Sequence, residues 1–270
     1  MRNISILLAV VAMIATAASA SVAVYEPFDY SGGSLRGQSG SSETGFAAGS
    51  TWQSCMTNSV GLATGNLPQG ASPFVPLAGS NRVCDSNSDS REDWRTLETP
   101  IDLGVEGAYY ASALFRVSND KKRCYVRFGK SCGTFCFHFG IEAGKFVLGT
   151  SGYGYYGSVT PGTTYFLVAK LVTHAGAPEE AYLNVYAPGD AVPTEEPTTW
   201  DYYYTSSWGR DYPMGWMTVR TRWEGTGEVD EIRTSNSATT GWSDVAVPEP
   251  ATLVLLGLGG LGVLLHRRRK

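Results

Sequence analysis

Glu228-Val229-Asp230-Glu231-Ile232-Arg233 sets three carboxylates within four positions of this 270-residue chain. On a strand, alternation puts Glu228 and Asp230 on one face and Glu231 on the other. Two carboxyl groups about 5–5.5 Å apart can serve as nucleophile and general acid in retaining glycoside hydrolysis. The position that would supply the acid holds Arg233, or Ile232 in a register one residue shorter. The proton donor is missing, so the expectation is a closing strand with solvated charges and no enzyme. A nucleophilic triad is no better supported: His138 and His174 are the only histidines away from the C-terminus, and His138, between Phe137 and Phe139, reads as a strand residue on a sheet surface.

Five cysteines, Cys55, Cys84, Cys124, Cys132 and Cys136, suit disulfides if the domain is exported. Cys55 with Cys84 would staple one loop-rich stretch. Cys124 with Cys136 would bridge neighbouring strands and leave Cys132 over. Pairing of Cys132 with either neighbour fits as well, since spacing does not encode connectivity. Cys124, Cys132, Cys136 and His138 also offer four metal-ligating groups, but without the paired two-residue spacings of a zinc site. Asp85, Asn87 and Asp89 stand at alternate positions, like the start of a calcium loop, and are candidate calcium ligands. The Gly and Glu that a hand-type loop needs next are replaced by Ser90 and Thr96. A polar loop is the plainer expectation, and calcium is the one cofactor the chain suggests. Aromatic rings offer a different chemistry, flat apolar platforms for sugar faces with polar tips for hydroxyls. Tyr153, Tyr155 and Tyr156 lie in a Gly-rich loop, and Trp216 and Trp223 come later. Tyr202, Tyr203, Tyr204 and Trp208 form the densest group and are the candidate glycan platform.

The elements that must position these groups read as strands. Ala111, Ala113, Phe115 and Val117 share one face with Tyr109, against Tyr110, Ser112, Leu114 and Arg116 on the other. Cys124, Val126 and Phe128 alternate with Tyr125 and Arg127 in the same way. Residues 134–141 and 145–148 flank Glu142-Ala143-Gly144, a tight hairpin. Residues 164–172 are apolar on both faces, as in a strand covered twice. Residues 182–186, 215–222 and 228–233 complete an all-β pattern of short strands and Gly-rich turns, which argues for a sandwich. The stretch 51–92, rich in Ser, Asn, Gly and Pro, fits this pattern least and is expected as a loop insert.

The two ends are of another kind. Residues 1–20 combine a basic start, an apolar run and a closing Ala18-Ser19-Ala20, the three zones of a secretory signal peptide cut by signal peptidase before Ser21. At the other end Pro248-Glu249-Pro250 precedes an uncharged stretch, 251–265, and then His266, Arg267, Arg268, Arg269 and Lys270. That stretch falls just short of the roughly 17–20 residues of a comfortable spanning helix, so it is expected as a transmembrane helix with its arginines at the cytoplasmic interface. Pro248, Glu249 and Pro250 with the apolar stretch and Arg267, Arg268 and Arg269 resemble the PEP-CTERM sorting signal. The resemblance implies recognition by an exosortase, a membrane-embedded cysteine protease-transpeptidase, cleavage near the triplet, and transfer to the cell surface or extracellular matrix after transient membrane anchoring.

Between the ends the chain is acidic. Of 21 Lys+Arg five lie in the ends, against one of 25 Asp+Glu, so 16 basic and 24 acidic residues leave residues 21–246 at net −8. Long-range repulsion would oppose nucleic acid as a partner.

Tyr25-Glu26-Pro27-Phe28-Asp29-Tyr30, Gly33-Ser34-Leu35-Arg36-Gly37-Gln38, Thr163-Thr164-Tyr165-Phe166-Leu167-Val168-Ala169-Lys170 and Val229-Asp230-Glu231-Ile232-Arg233 resemble segments of concanavalin A-like (laminin-G-like) jelly-roll domains. Jelly-roll glucanases carry Glu-x-Asp-x-x-Glu, which this chain departs from at Arg233. The expected organisation is a signal peptide (1–20), a jelly-roll β-sandwich ectodomain (21–246) and a sorting tail (247–270). The expected function is that of an exported, non-enzymatic surface or matrix protein. Carbohydrate binding, with extracellular polysaccharide as partner, is the alternative, and a glycoside hydrolase the remotest one.

Overall fold

Alternation along each strand sends one set of side chains between two antiparallel sheets and the other set outward. The computed structural model describes residues 23–246 other than 32, 40–42, 69–71, 74–80, 87, 132–133, 151, 210 and 238–239, and omits the side chains of 135–136 and 207–209. The signal peptide, the tail and the span 251–265 expected from sequence lie outside the described residues. Among the described residues no helix is long and apolar enough to cross a membrane.

In chain order the strands are β1 (Val24–Glu26), β2 (Gln53–Ser54), β3 (Leu62–Thr64), β4 (Asn81–Asp85), β5 (Arg91–Asp102), β6 (Gly107–Val117), β7 (Arg123–Ser131) and β8 (Thr134–Glu142). There follow β9 (Lys145–Thr150), β10 (Gly154–Tyr156), β11 (Tyr165–Thr173), β12 (Pro178–Tyr186), β13 (Tyr202–Gly209), β14 (Pro213–Arg222), β15 (Gly227–Ser235) and a short helix α1 (Gly241–Ala246). One sheet has eight strands in the order β13-β12-β11-β6-β15-β4-β3, with β1 also beside β15. The other has seven, in the order β10-β9-β8-β7-β14-β5-β2. The chain crosses between sheets at β1–β2, β2–β3, β4–β5, β5–β6, β6–β7, β10–β11, β13–β14 and β14–β15, the interleaving of an all-β sandwich of the jelly-roll kind.

The space between the sheets is filled as the alternation demands. Ala111, Ala113, Phe115 and Val117 of β6 meet Cys124, Val126 and Phe128 of β7 and Phe137, Phe139 and Ile141 of β8 in one core. The β8–β9 hairpin closes with Glu142 opposite Lys145, and Ala143 and Gly144 both take positive φ (48° and 71°), as a two-residue hairpin requires. A second apolar layer explains why β11 is apolar on both faces. Leu114, Phe166 and Val168 point away from the main core and pack under Trp242, Val245 and Ala246 of α1, with Trp200 against the same cluster. Trp242 Nε1 donates to the Pro193 carbonyl at 3.0 Å, and Ser112 Oγ donates to the Val245 carbonyl at 2.7 Å, so the helix is pinned at both ends.

The stretch 51–92 is not a loop insert. It supplies β2, β3, β4 and the start of β5 to both sheets, and Trp52 and Val83 are fully buried. Polar burial organises this end of the sandwich. Trp52 Nε1 donates to Glu26 at 3.1 Å and to Tyr30 Oη at 2.9 Å, Tyr30 donates to Glu26, and Arg95 reaches Glu43 at 2.9 Å. Burial pushes the Glu26 carboxyl up to about 7.

Neither cysteine pairing expected from sequence forms. Cys84 and Cys124 are free thiols. Cys84 lies on β4 opposite Glu228 in the eight-stranded sheet, whereas Cys55 follows β2 in the other. Register sets Cys124 opposite Ile141, five residues past Cys136, or about 17 Å along the strand. That exceeds the roughly 7 Å Cα limit of a disulfide. Cys55 is disulfide-bonded, to neither Cys84 nor Cys124. Cys132, and the side chain of Cys136, lie outside the described residues.

Candidate functional site

The seven-stranded sheet carries an outer face of a different composition. The strand pattern Arg123-Cys124-Tyr125-Val126-Arg127-Phe128 buries its apolar members in the core and turns Arg123, Tyr125 and Arg127 outward. On β8 the same rule turns out His138, Gly140 and Glu142, and on β14 Trp216, Thr218, Arg220 and Arg222. Register lines these groups up across the sheet. One row runs Glu92, Arg220, Tyr125, Gly140, Val147, Tyr155. On one side of it lie Trp94, Thr218, Arg127, His138 and Gly149, and on the other Arg222, Arg123, Glu142 and Lys145.

Glycine shapes this face. A Cβ at Gly149 would collide with the backbone of Gly152 and Tyr153, so the glycine admits the loop after β9 close over the sheet. That approach brings the Tyr153 ring edge-on to His138 at 5.6 Å and to Tyr155 at 5.3 Å. Tyr153 and Tyr155 are 44% and 49% exposed. Beneath them rings and guanidinium groups alternate. Arg123 lies 4.2 Å from the Trp223 centroid and 5.5 Å from that of Tyr125, and Arg127 lies 4.9 Å from Tyr125. Arg222 adds a contact to Trp223 at 5.6 Å. Further along, Trp94 and Trp216 stack at 3.7 Å with 8° between planes.

Two carboxylates answer these cations. Glu142 contacts Arg123, while Glu92 lies 3.6 Å from Arg127 and 3.5 Å from Arg220. Burial and the neighbouring Arg220 lower the Arg127 pKa to about 9, which still leaves it protonated at neutral pH. His138, buried and facing Arg127 and Arg123, is held well below the ordinary histidine range and is neutral. Beyond Trp223, at the loop end, a cavity of about 700 Å³ is lined by Ser88, Asp120, Lys121, Ala143, Trp223 and Glu224.

The residues singled out in the sequence are dispersed. Glu228 is held by Arg82 at 2.7 Å and by both nitrogens of the Arg116 fork, one of them at 2.9 Å, which keeps its carboxyl below the usual range despite burial. Asp230 accepts from the Leu67 amide at 2.8 Å, and Tyr25 donates to Glu231 at 3.0 Å. Each of the three carboxylates is thus committed to its own partner. Asp85 accepts from Thr221 and lies 3.6 Å from Arg91 and 3.8 Å from Lys122, so its charge is matched by cations. Asn87 lies outside the described residues, and Asp89 is exposed. Cys124 faces the core and His138 the outer face, so the two cannot share a metal; the described residues hold no cluster of three or more metal-ligating groups.

Tyr202, Tyr203 and Tyr204 do not form one platform. Successive strand residues alternate, so Tyr202 and Tyr204 pack against the main core while Tyr203, 47% exposed, turns to Tyr182 at 5.1 Å. The Trp208 side chain lies outside the described residues. Tyr153, Tyr155, Trp216 and Trp223, which the sequence shows as two distant groups, converge on the outer face of the seven-stranded sheet. The arginines among them escaped notice because Arg123, Arg127, Arg220 and Arg222 come from two strands far apart in sequence. Strand alternation alone could have placed them on a common side.

No curated protein matches the chain. Among solved structures it is similar to the globular domain of T. cruzi calreticulin (11% identity, 81% of this chain and 89% of that one, TM-score 0.46). It is also similar to an endo-beta-1,4-glucuronan lyase from the fungus Trichoderma reesei (9%, 76% and 96%, TM-score 0.44) and to the exoplasmic/lumenal domain of VIP36 (9%, 76% and 88%, TM-score 0.39). At such scores the likeness adds nothing to the sheet topology described above. Residues 246–270 match the PEP-CTERM protein-sorting motif, which implies processing by an exosortase and export to a cell-surface or extracellular location.

Proposed function

We propose that this is an exported, non-enzymatic surface protein that holds extracellular polysaccharide on the outer face of its seven-stranded sheet. One observation carries the reading: rings and guanidinium groups alternate along Trp223, Arg123, Tyr125 and Arg127, with the exposed Tyr153 and Tyr155 rings beside them. Aromatic faces cover the apolar faces of pyranose rings, and guanidinium forks and phenol hydroxyls meet the oxygens. A buried foundation of Tyr125, His138 and Glu142 fixes the groups above it, so little ordering is needed on binding. The non-enzymatic part of the reading is supported by Glu228 and Asp230, whose oxygens are occupied by Arg82, Arg116 and the Leu67 amide. The sorting tail serves as a temporary hold in the membrane before transfer.

A glycan array probed with the full-length protein in detergent tests the binding. Retention on polysaccharides that drops when Tyr153 and Tyr155 are changed to Ala is the expected result. Retention unchanged by both substitutions would move the site elsewhere.

A further inference from the structure

Resting on that reading, we infer that the polysaccharide is acidic, its carboxylate groups being taken by the arginine row beside Trp223. The charge of this face runs against that of the chain. Residues 21–246 carry net −8, yet the described rows of the seven-stranded sheet's outer face gather Arg123, Arg127, Arg220, Arg222 and Lys145 against Glu92 and Glu142, with Asp120, Lys121 and Glu224 at the loop end beside Trp223. A local positive field on an acidic body attracts anions to that one place and repels them elsewhere.

The cations are not equally committed. Arg123 is answered by Glu142, and Arg127 and Arg220 share Glu92. Arg222 makes no ion pair among the described residues; it is near enough to Glu142 to favour that carboxylate's charged form, and its guanidinium lies 5.6 Å from the Trp223 ring. Lys145, at the other end of the same row, donates to the Ser158 hydroxyl at 3.1 Å and makes no ion pair among the described residues. A neutral sugar would make poor use of these groups, because a guanidinium fork matches the two oxygens of a carboxylate and binds it bidentately. A sugar acid supplies both halves of the fit, a ring face for Trp223 or Tyr155 and a carboxylate for Arg222. The repeat of such a chain would bring further carboxylates towards Arg123 and Lys145.

The full-length protein in detergent is titrated with polygalacturonate, dextran and polyglutamate, which present a carboxylated sugar, a neutral sugar and a carboxylate without a sugar. Polygalacturonate should bind tightest and lose about tenfold or more in affinity from about 50 to about 500 mM salt, as screened charges would. Arg222→Gln should weaken it about tenfold, the worth of one charge-assisted pair, and Glu142→Gln, which frees Arg123, should tighten it severalfold. Dextran bound as tightly as polygalacturonate, without salt dependence, would overturn the acidic inference and leave carbohydrate binding standing. Polyglutamate bound equally well would overturn it too, since the sugar ring would then contribute nothing. Failure to bind any glycan would remove the inference and the proposed function together.

Discussion

The two outer faces of this sandwich start from the same strand pattern and end differently. On the eight-stranded sheet the outward residues include Tyr110, Leu114, Phe166 and Val168, and the chain folds α1 and Trp200 back over them. On the seven-stranded sheet the outward residues include arginines, tryptophans, Tyr125 and His138, and among the described residues a glycine-admitted loop lies against the buried His138 and carries two exposed tyrosines. A face composed of leucine and phenylalanine must be sealed to lower its free energy in water. One composed of rings and guanidinium groups satisfies its polar members within the face and needs no apolar seal, while the Tyr153 and Tyr155 rings at its surface stay open to water. The contrast separates a face sealed for stability from the face on which the proposed recognition would take place.

That contrast makes the largest prediction. Trp242 is buried and bonded through its indole N–H, so Trp242→Ala should cost about 3–5 kcal/mol and lower Tm sharply in calorimetry. Tyr153→Ala, on the opposite face, should change stability by less than about 1 kcal/mol. Equal losses at both positions would erase the distinction. A smaller effect is expected at Glu228, where a Gln leaves Arg82 and Arg116 without their shared counter-charge. These side chains are partly exposed, so denaturant titration should show a loss of about 1–2 kcal/mol, with glycan binding untouched.

A pH dependence is expected as well. Burial, with Glu231 beside it, raises the Asp230 carboxyl to about 8, so the folded protein keeps a proton there that the unfolded chain releases near pH 4. The native state binds more protons across that window, and stability should therefore fall as pH rises from about 4 towards 8. Thermal melts at pH 5 and pH 8 should show the lower Tm at pH 8, and Asp230→Asn should narrow the gap. A gap unchanged by Asp230→Asn would assign the effect to another buried acid, with Glu26 the next candidate at about 7.

Much of the sandwich could be read along the chain, because β6, β7, β8 and β14 alternate cleanly and the β8–β9 turn has the residues a two-residue hairpin needs. β5 could not, since it turns Asp93 and Arg95 inward, where Asp93 accepts from the Val60 amide at 2.9 Å and Arg95 joins Glu43. Inward polar residues defeat a hydrophobic period, and their partners come from loops that carry no local signal. The same limit hid the site. Three adjacent tyrosines at 202–204 look like a cluster on paper, but a strand parts them between two faces, whereas Tyr155, Tyr125 and Arg220 come into one row only through the register of four other pairings.

The central claim is that the outer face of the seven-stranded sheet binds an extracellular polysaccharide. The most direct measurement is the affinity of the full-length protein for immobilised polygalacturonate, compared with the Tyr153→Ala/Tyr155→Ala double variant at matched thermal stability. Loss of about tenfold or more in the double variant, with Tm preserved, is the predicted result. Equal affinity in the two proteins would contradict it.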